Sequence, residues 1–315
     1  VKFTIEAIKN PLVDSLHAPN FEEVREITEV DDRTVRIRLS APNAAFLDYM
    51  MQPILPAHLL AGRDLTTTGF FRNPVGTGPF RMEHWVAGKE IVLVKNEDYY
   101  RGTPKIDRFV VKIVADDAAE AKALVDGTAD LARLSPRAAA PFEGKDGYRF
   151  YAMKTANFGA ILINCAHPYW QRNRDLLPAI AYAVDRAAVI HEALLGHGIP
   201  AYSSLQRSPF NNPNVEHYDY DPAKAQEILE AAGCRKGADG YYTRGGEEVG
   251  FVLTVKNDKR NRIDIANVVA AQMRAVGIHC TVETPAKVDW DGQMAYLSGV
   301  GNEIDPDAHT YKVFS

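Results

Sequence analysis

Hydrophobic and polar side chains alternate near the N-terminus, over residues 26–39. Val35, Ile37 and Leu39 fall on one face of this stretch, and the polar turn Asp31-Asp32-Arg33 separates them from a similar run. A period of two predicts a strand with one buried face, and two such runs about a polar turn predict a β-hairpin. The first region of the chain is therefore expected to contain a two-stranded ribbon.

In the middle of the chain, strand patterns alternate with helix patterns. Residues 91–94 and 108–114 are apolar runs with β-branched side chains, which predict strands, and the first is expected to be buried. Asp117 is placed to cap a helix that Gly127 ends, and residues 129–131 then predict a short return strand.

The C-terminal half continues this alternation. Asp221, with proline after it at the first helical position, predicts a helix with one apolar face that ends at Gly233. Residues 251–255 predict a strand, residues 265–276 recur at helical spacing, and residues 278–282 predict a second strand. A strand, a helix and a strand normally form a right-handed crossover between parallel strands, so we predict an α/β fold.

Composition excludes several classes of function. The 315 residues include 36 basic and 41 acidic side chains, giving a formal charge of −5 without a basic patch, so no nucleic-acid partner is expected. No apolar stretch approaches the roughly 20 residues that span a bilayer. The N-terminus lacks a signal-peptide pattern, and the length predicts more than one domain.

No catalytic or metal-binding motif stands out. The chain lacks a nucleophile elbow, a phosphate-binding loop and a dinucleotide fingerprint. His191-Glu192 begins like a zinc protease motif, but Leu195 stands where the second histidine is required. The three cysteines lack CxxC spacing, and Cys280 alternates with apolar neighbours like a small buried hydrophobe. We therefore expect no enzymatic activity, no cofactor and no metal site.

Two segments have a residue order that general packing rules do not produce. Residues 73–80, Asn-Pro-Val-Gly-Thr-Gly-Pro-Phe, contain two prolines that fix backbone angles. Gly76 and Gly78 in this turn are expected in conformations that a side chain would oppose. Residues 96–107 form a second distinctive loop ahead of a predicted strand.

Both segments resemble the extracytoplasmic solute-binding proteins of peptide, nickel and related ABC importers, which are the family 5 solute-binding proteins. Five further blocks follow in that family's order: Pro53–Leu59, Ala181–Arg186, Tyr220–Ala225, Val276–Ile278 and Asp305–Asp307. The block at residues 181–186 is similar to the family's interlobe helix. The resemblance covers essentially the whole chain.

The resemblance implies a two-lobed, class II-like periplasmic-binding-protein fold with an extra subdomain. Residues 1–66 are expected in that subdomain, residues 67–155 in the central part of the first lobe, and residues 156–315 in a second lobe truncated at its C-terminal end. Residues 155–158 are the expected hinge. The chain is expected to be incomplete at both termini. Between Trp290 and Gly299 the family carries a longer segment with a helix, which is either deleted here or missing from this sequence.

The loop before the Asp-Pro pair carries an aspartate in peptide-binding relatives, and that aspartate pairs with the ligand's α-ammonium group. Counting back from Asp305 puts this place on Asn302, whereas counting forward from Gly299 with a one-residue gap puts it on Glu303. An amide cannot make the stronger charge-assisted bond, so Asn302 would favour a sugar, an amide or a blocked peptide. Asp305 has an alternative interpretation as a turn residue that shapes the loop.

Small-ligand pockets combine aromatic walls with a few fixed polar groups. The candidates that flank the lobe junction or the cleft loop in the family-like order are Asn157, Phe158, Tyr169, Trp170 and Trp290. Each has a core-packing alternative. Phe158 adjoins an apparent strand, which favours burial, whereas Trp170 follows a loop-like stretch.

The resemblance implies the substrate-binding component of an ABC importer, periplasmic or otherwise extracytoplasmic, acting as a monomer. It would capture a small solute, an oligopeptide or a dipeptide, by closure of two lobes and deliver it to a membrane permease. The alternative is a ligand-sensing domain of a regulatory protein with the same fold. Upstream sequence would discriminate between them, because a secretory signal supports the transporter and a helix-turn-helix segment supports the regulator.

Overall fold

The structure is a computed structural model that describes residues 1–155, 157–206, 208–258 and 260–301. These residues form two compact units, and the boundary between the units lies between Ala119 and Glu120. That boundary comes earlier in the chain than the lobe boundary predicted near Thr155. The assignment of residues to lobes stays a prediction.

The first unit contains short helices, a hairpin and a three-stranded sheet. Its elements are α1 (Lys2–Lys9), β1 (Val24–Asp31), β2 (Thr34–Leu39), α2 (Phe46–Tyr49), α3 (Ala57–Leu60), β3 (Phe80–Val86), β4 (Glu90–Lys95) and β5 (Arg108–Lys112), and α4 (Asp117–Val125) continues past its boundary. Single 3-10 turns occur at Ala18–Phe21 and Gly69–Arg72.

The predicted hairpin is confirmed. Strands β1 and β2 pair antiparallel, and at the turn the backbone N–H of Arg33 donates to Oδ1 of Asp31 over 2.8 Å. Ile5 of α1 packs in a small buried cluster with Phe21 and Phe46, whose rings meet edge to face. Because the hairpin itself contributes few buried side chains, this cluster is what anchors it.

The three-stranded sheet has the antiparallel order β3-β4-β5. The strand predicted at residues 91–94 is confirmed within β4, but only Val92 of those residues is buried. The strand predicted at residues 108–114 is confirmed in the shorter β5, every residue of which is exposed. The sheet therefore buries much less of its surface than the apolar runs predict.

The turn ahead of β3 is exposed along residues 73–77 and fastened at its base by Asn96. The backbone N–H of Asn96 donates to the carbonyl of Pro79 over 2.8 Å, and its Nδ2 donates to the carbonyl of Gly78 over 3.1 Å. The expected unusual backbone is wrong, because neither Gly76 nor Gly78 has a positive φ. A methyl group on Gly76 would meet no atom within 4 Å.

Helix α4 differs from the prediction at both ends. Asp116, rather than Asp117, accepts a first-turn backbone N–H with Oδ1, over 2.9 Å. Gly127 ends the helix with a φ of 67°, as predicted. The strand predicted at residues 129–131 is wrong, because the backbone after Gly127 donates hydrogen bonds to the last helical turn instead of to a strand.

The second unit is larger and contains the α/β part of the chain. Its elements are α5 (Pro136–Ala139), β6 (Phe158–Ile163), α6 (Pro168–Arg172), α7 (Leu177–Tyr182), α8 (Arg186–Leu194), α9 (Pro222–Ala231), β7 (Arg235–Lys236), β8 (Tyr242–Arg244), β9 (Glu247–Glu248), β10 (Gly250–Thr254), α10 (Arg260–Val276), β11 (His279–Glu283) and β12 (Ala295–Val300). Strands β7, β8 and β9 form a small antiparallel sheet.

The main sheet has the order β11-β10-β12-β6. Strand β10 pairs parallel with both β11 and β12, and β6 pairs antiparallel with β12. The predicted strand, helix and parallel strand are therefore confirmed as β10, α10 and β11. Residues 284–294 join β11 to β12 without a helix, which agrees with the short spacing seen in the sequence.

One continuous core fills the second unit. It includes Leu229 of α9, Met273 of α10 and Leu253 of β10, none of which has measurable exposure. Trp170 and Cys280 belong to the same cluster. Among the described residues, no helix combines the length and the apolar character needed to cross a membrane.

The block at residues 181–186 is not one helix, so that expectation is wrong. Tyr182 ends α7, and Asp185 caps α8 by accepting the N–H of Ala188 on Oδ1 over 2.9 Å. The backbone of Asp185 is held in turn by Gln272 of α10, which accepts from its N–H over 3.1 Å and donates to its carbonyl over 3.2 Å. The block is a helix junction fastened to α10.

The cap of α9 can be tested directly. Oδ1 of Asp221 accepts the backbone N–H of Lys224 over 2.8 Å, as the sequence predicts. Asp221→Ala should lower the free energy of unfolding by about 0.5–2 kcal/mol, because this N–H loses its partner, whereas Asp221→Asn should retain most of it. Urea unfolding followed by circular dichroism measures both. Equal losses in the two variants would contradict the capping role.

The cysteines provide a second test. Cys165 is exposed, whereas Cys234 and Cys280 are buried and unpaired, as expected for Cys280. Burial raises the pKa of Cys280 to about 12 and also raises the pKa of Cys234. At pH 8, a thiol-specific chromogenic reagent should label Cys165 in the folded protein and the other two only after unfolding. Rapid labelling that persists in Cys165→Ser would contradict the buried placement.

Candidate functional site

The parallel strands of the main sheet end at one edge. Strand β10 ends at Thr254 and leads into α10, and β12 ends at Val300 and leads into Gly301. In open α/β sheets, ligands bind outside the carboxyl ends of the parallel strands, where the connecting loops meet. The carboxyl edge of β10 and β12 is therefore the candidate site.

Strand β6 brings two predicted residues to this edge. Phe158 pairs with Val300 in the antiparallel ladder, so Asn157 lies next to the end of β12. A methyl group on Gly301 would lie 3.7 Å from Oδ1 of Asn157. Phe158 is half-buried. The structure thus places Asn157 and Phe158 where the predicted cleft loop begins.

Three of the predicted site residues follow Gly301 directly in the sequence but lie outside the described residues. They are Asn302, Glu303 and Asp305. Their predicted roles toward a ligand's ammonium group remain predictions.

Trp170 lies at the opposite end of the β6–β12 ladder. Its indole is 2% exposed, and Nε1 donates to the carbonyl of Met294 over 2.8 Å, just ahead of β12. The six residue pairs of the ladder separate this end from Asn157 by about 17 Å. The loop position expected for Trp170 is wrong, because α6 includes it. A buried indole with a satisfied N–H is a packing residue.

Tyr169 and Trp290 also lie at that opposite end. The hydroxyl of Tyr169 accepts the backbone N–H of Gly250 over 3.1 Å, and burial raises the pKa of Tyr169. Its ring meets Trp170 edge to face. Trp290 is 61% exposed and contacts Tyr296. One small solute therefore cannot contact all the predicted aromatic residues and Asn157 together.

Arg262 is at the candidate edge, although it is not among the residues predicted from the sequence. It is half-buried in the first turn of α10, and a methyl group on Gly299 would lie 2.5 Å from its Nη2. The guanidinium therefore rests on the bare backbone of β12. The available sequence signal was the basic run at residues 259–262, which contains two arginines and a lysine where a helix starts.

Histidines in the second unit have structural contacts. Nδ1 of His167 accepts the N–H of Tyr169 over 3.2 Å, and Nε2 of His197 lies 3.4 Å from Glu143. Within the described ranges, no group of three or more histidine, cysteine or acidic side chains is placed to hold a metal ion.

A separate cleft of about 370 Å³ lies in the first unit, beside α1. Phe3, Leu60 and Leu65 contribute apolar surface to it, and Glu6 and Arg63 contribute opposite charges. None of the predicted site residues lines this cleft, so it is not part of the candidate site.

Comparison with known proteins gives the chain its family. The model of the bacterial extracellular solute-binding proteins, family 5 (middle), matches residues 1–315. Protein XP55 of Streptomyces lividans is 31% identical over 313 residues, which are 98% of this chain and 57% of that protein. The oligopeptide-binding protein AppA of Bacillus subtilis is 26% identical over 301 residues, 90% of this chain and 54% of that protein.

A solved structure agrees with the fold. NikZ from Campylobacter jejuni, in complex with Ni(L-His), matches with a TM-score of 0.89 and 29% identity. The match covers 100% of this chain and 64% of the NikZ chain. The chain thus spans just over half the length of XP55 and AppA, and it has the mixed α/β fold of periplasmic binding proteins. It belongs to the family 5 bacterial extracellular solute-binding proteins.

Proposed function

We propose that this chain is part of the solute-binding component of an ABC importer and that its solute is an oligopeptide or a dipeptide. The observation that carries the proposal is the position of Asn157 against Gly301, at the carboxyl edge of the parallel strands. The loop predicted to hold a peptide's ammonium group starts at that point. Family membership supports the same role, since the matched family consists of solute-binding proteins.

Peptide is the favoured solute for two reasons. AppA of Bacillus subtilis is named an oligopeptide-binding protein, and a solved structure of that protein contains a nonapeptide. The predicted ammonium-binding place at Asn302 or Glu303 also suits a peptide N-terminus, more strongly with the carboxylate. NikZ instead holds Ni(L-His), so a metal chelate is the second solute class to be tested.

Binding would work by a shift between open and closed states. A solute that touches both lobes only when they are closed stabilises the closed state by its difference in affinity for the two. Residues 155–158 are the proposed hinge, because they separate the predicted lobes. The closed protein would then deliver the solute to a membrane permease outside the cytoplasm, as a monomer and without covalent chemistry.

The first test concerns the solute. Native mass spectrometry of the full-length protein, purified gently from its own cells, should show a retained peptide mass. Small-angle scattering should then show a smaller radius of gyration with that peptide than without it. A retained metal chelate would replace the peptide assignment, and an unchanged radius of gyration would contradict lobe closure.

The second test separates the two ends of the β6–β12 ladder. Asn157→Ala should weaken binding of the identified solute by about 2- to 10-fold, the range for loss of one neutral hydrogen bond. Trp290→Ala should leave affinity unchanged, because Trp290 lies at the other end. Isothermal titration calorimetry measures both variants. Weaker binding in Trp290→Ala alone would place the site at the wrong end of the ladder.

A further inference from the structure

The side chain of Arg262 packs flat on a strand that has no side chain to meet it. A methyl group on Gly299 would lie 2.5 Å from Nη2, 3.0 Å from Cζ and 3.1 Å from Nε of Arg262. All three distances are shorter than an ordinary contact, so the guanidinium lies across the position that a β-carbon would occupy. Only glycine at residue 299 permits this placement.

The guanidinium of Arg262 has no hydrogen-bond or ion-pair partner among the described residues. Other arginines of α10 do have partners: Arg260 lies 3.5 Å from Asp264, and Arg274 donates to the carbonyl of Cys280 over 2.8 Å. A guanidinium carries five N–H donors, and a half-buried one that leaves them unused loses hydration without compensation. Arg262 is therefore the member of this set that is available to an external anion.

The position of Arg262 in its helix is also unfavourable on local grounds. The first turn of α10 contains Arg260 and Arg262 but no acidic residue, and Lys259 precedes them in the sequence. Positive charge at a helix N-terminus opposes the macrodipole, which favours anions there. Sequence choices that break a local rule concentrate at functional sites. The basic turn and the helix terminus both attract negative charge to the same place.

The nearest competing partners come from the chain itself. Glu303, Asp305 and Asp307 follow Gly301 in the sequence and lie outside the described residues. An internal pair with one of these carboxylates would give Arg262 a structural role. The experiment below therefore has to separate an internal pair from a pair with the solute.

We propose that Arg262 binds the carboxylate of the solute and is the specificity-determining residue for a free peptide C-terminus. The inference rests on the proposed function, because it places Arg262 in the same site. The planar guanidinium matches a carboxylate with two parallel N–H bonds. Gly299 sets the height of the guanidinium above β12, and the ladder places it on the same edge as Asn157.

The test uses the full-length protein and two peptide sets. One set contains unblocked tri- to pentapeptides, and the other contains the same peptides as C-terminal amides. Native mass spectrometry and calorimetry compare wild type, Arg262→Ala and Arg262→Gln, after circular dichroism has verified folding. Arg262→Gln keeps the length of the side chain, so the comparison survives if Arg262→Ala fails to fold.

The expected result is a selective loss. Wild type should prefer free peptides over amides by about 10- to 100-fold, the range for hydrogen bonds to a charged group. Both Arg262 variants should lose that preference and bind amides as wild type does. Arg260→Ala is the matched control, because Arg260 is in the same helical turn and is exposed, and its variant should behave like wild type.

Each other outcome contradicts a different statement. Equal loss for free and amidated peptides would show that Arg262 acts through an internal pair and would overturn the inference alone. Unchanged affinity in the Arg262 variants would overturn it as well. If wild type binds neither set, the peptide assignment fails first, and the inference about its C-terminus fails with it.

Gly299→Ala provides an independent test of geometry. The backbone at Gly299 does not have a positive φ, so alanine fits the strand, but its methyl group displaces the guanidinium. The variant keeps the charge and should still reduce the preference for free peptides by about tenfold. A full preference in Gly299→Ala would mean that the contact between Arg262 and β12 does not position the charge.

Discussion

The pairing of β12 with β6 determines where every candidate residue of the second unit lies. The two strands are far apart in the sequence, yet six residue pairs align them. At one end the register is held by Asn164, whose Nδ2 donates to the carbonyls of Asp291 and Gln293 over 3.1 and 3.0 Å. Met294 accepts there from the indole of Trp170. A slip of one residue would turn each side chain to the opposite face of the sheet, so these contacts decide which groups reach the other end.

The two ends of this ladder have different work. At the Trp170 end, large side chains are buried and their polar atoms are satisfied, as with the hydroxyl of Tyr169 and the indole N–H. At the Asn157 end, Gly159 pairs with Gly299, and the absence of both side chains leaves backbone surface uncovered. Packing thus stabilises one end, whereas the other can accommodate a guanidinium without losing core contacts.

Local rules predicted the elements whose causes are local. The hairpin, the capped helix α9 and the strands around α10 follow from period, capping residues and glycine stops, and all three are confirmed. The strand expected at residues 129–131 and the single helix expected at residues 181–186 are wrong because tertiary hydrogen bonds prevailed, in the second case from Gln272. Trp170 was assigned to a loop because its burial depends on β12, more than a hundred residues later in the chain.

The candidate site depends even more on distant parts of the chain. The sequence alone gave reasons to consider Asn157, but its position beside Gly301 requires the antiparallel pairing of two distant strands. Arg262 shows the converse, since its signal was local: a basic first turn opposes the helix dipole and gains nothing from the fold. Such a turn is informative only when the structure shows that the charge is not neutralised nearby. The glycine at residue 299 then becomes interpretable, because its value lies in the side chain that it allows to approach rather than in its own backbone conformation.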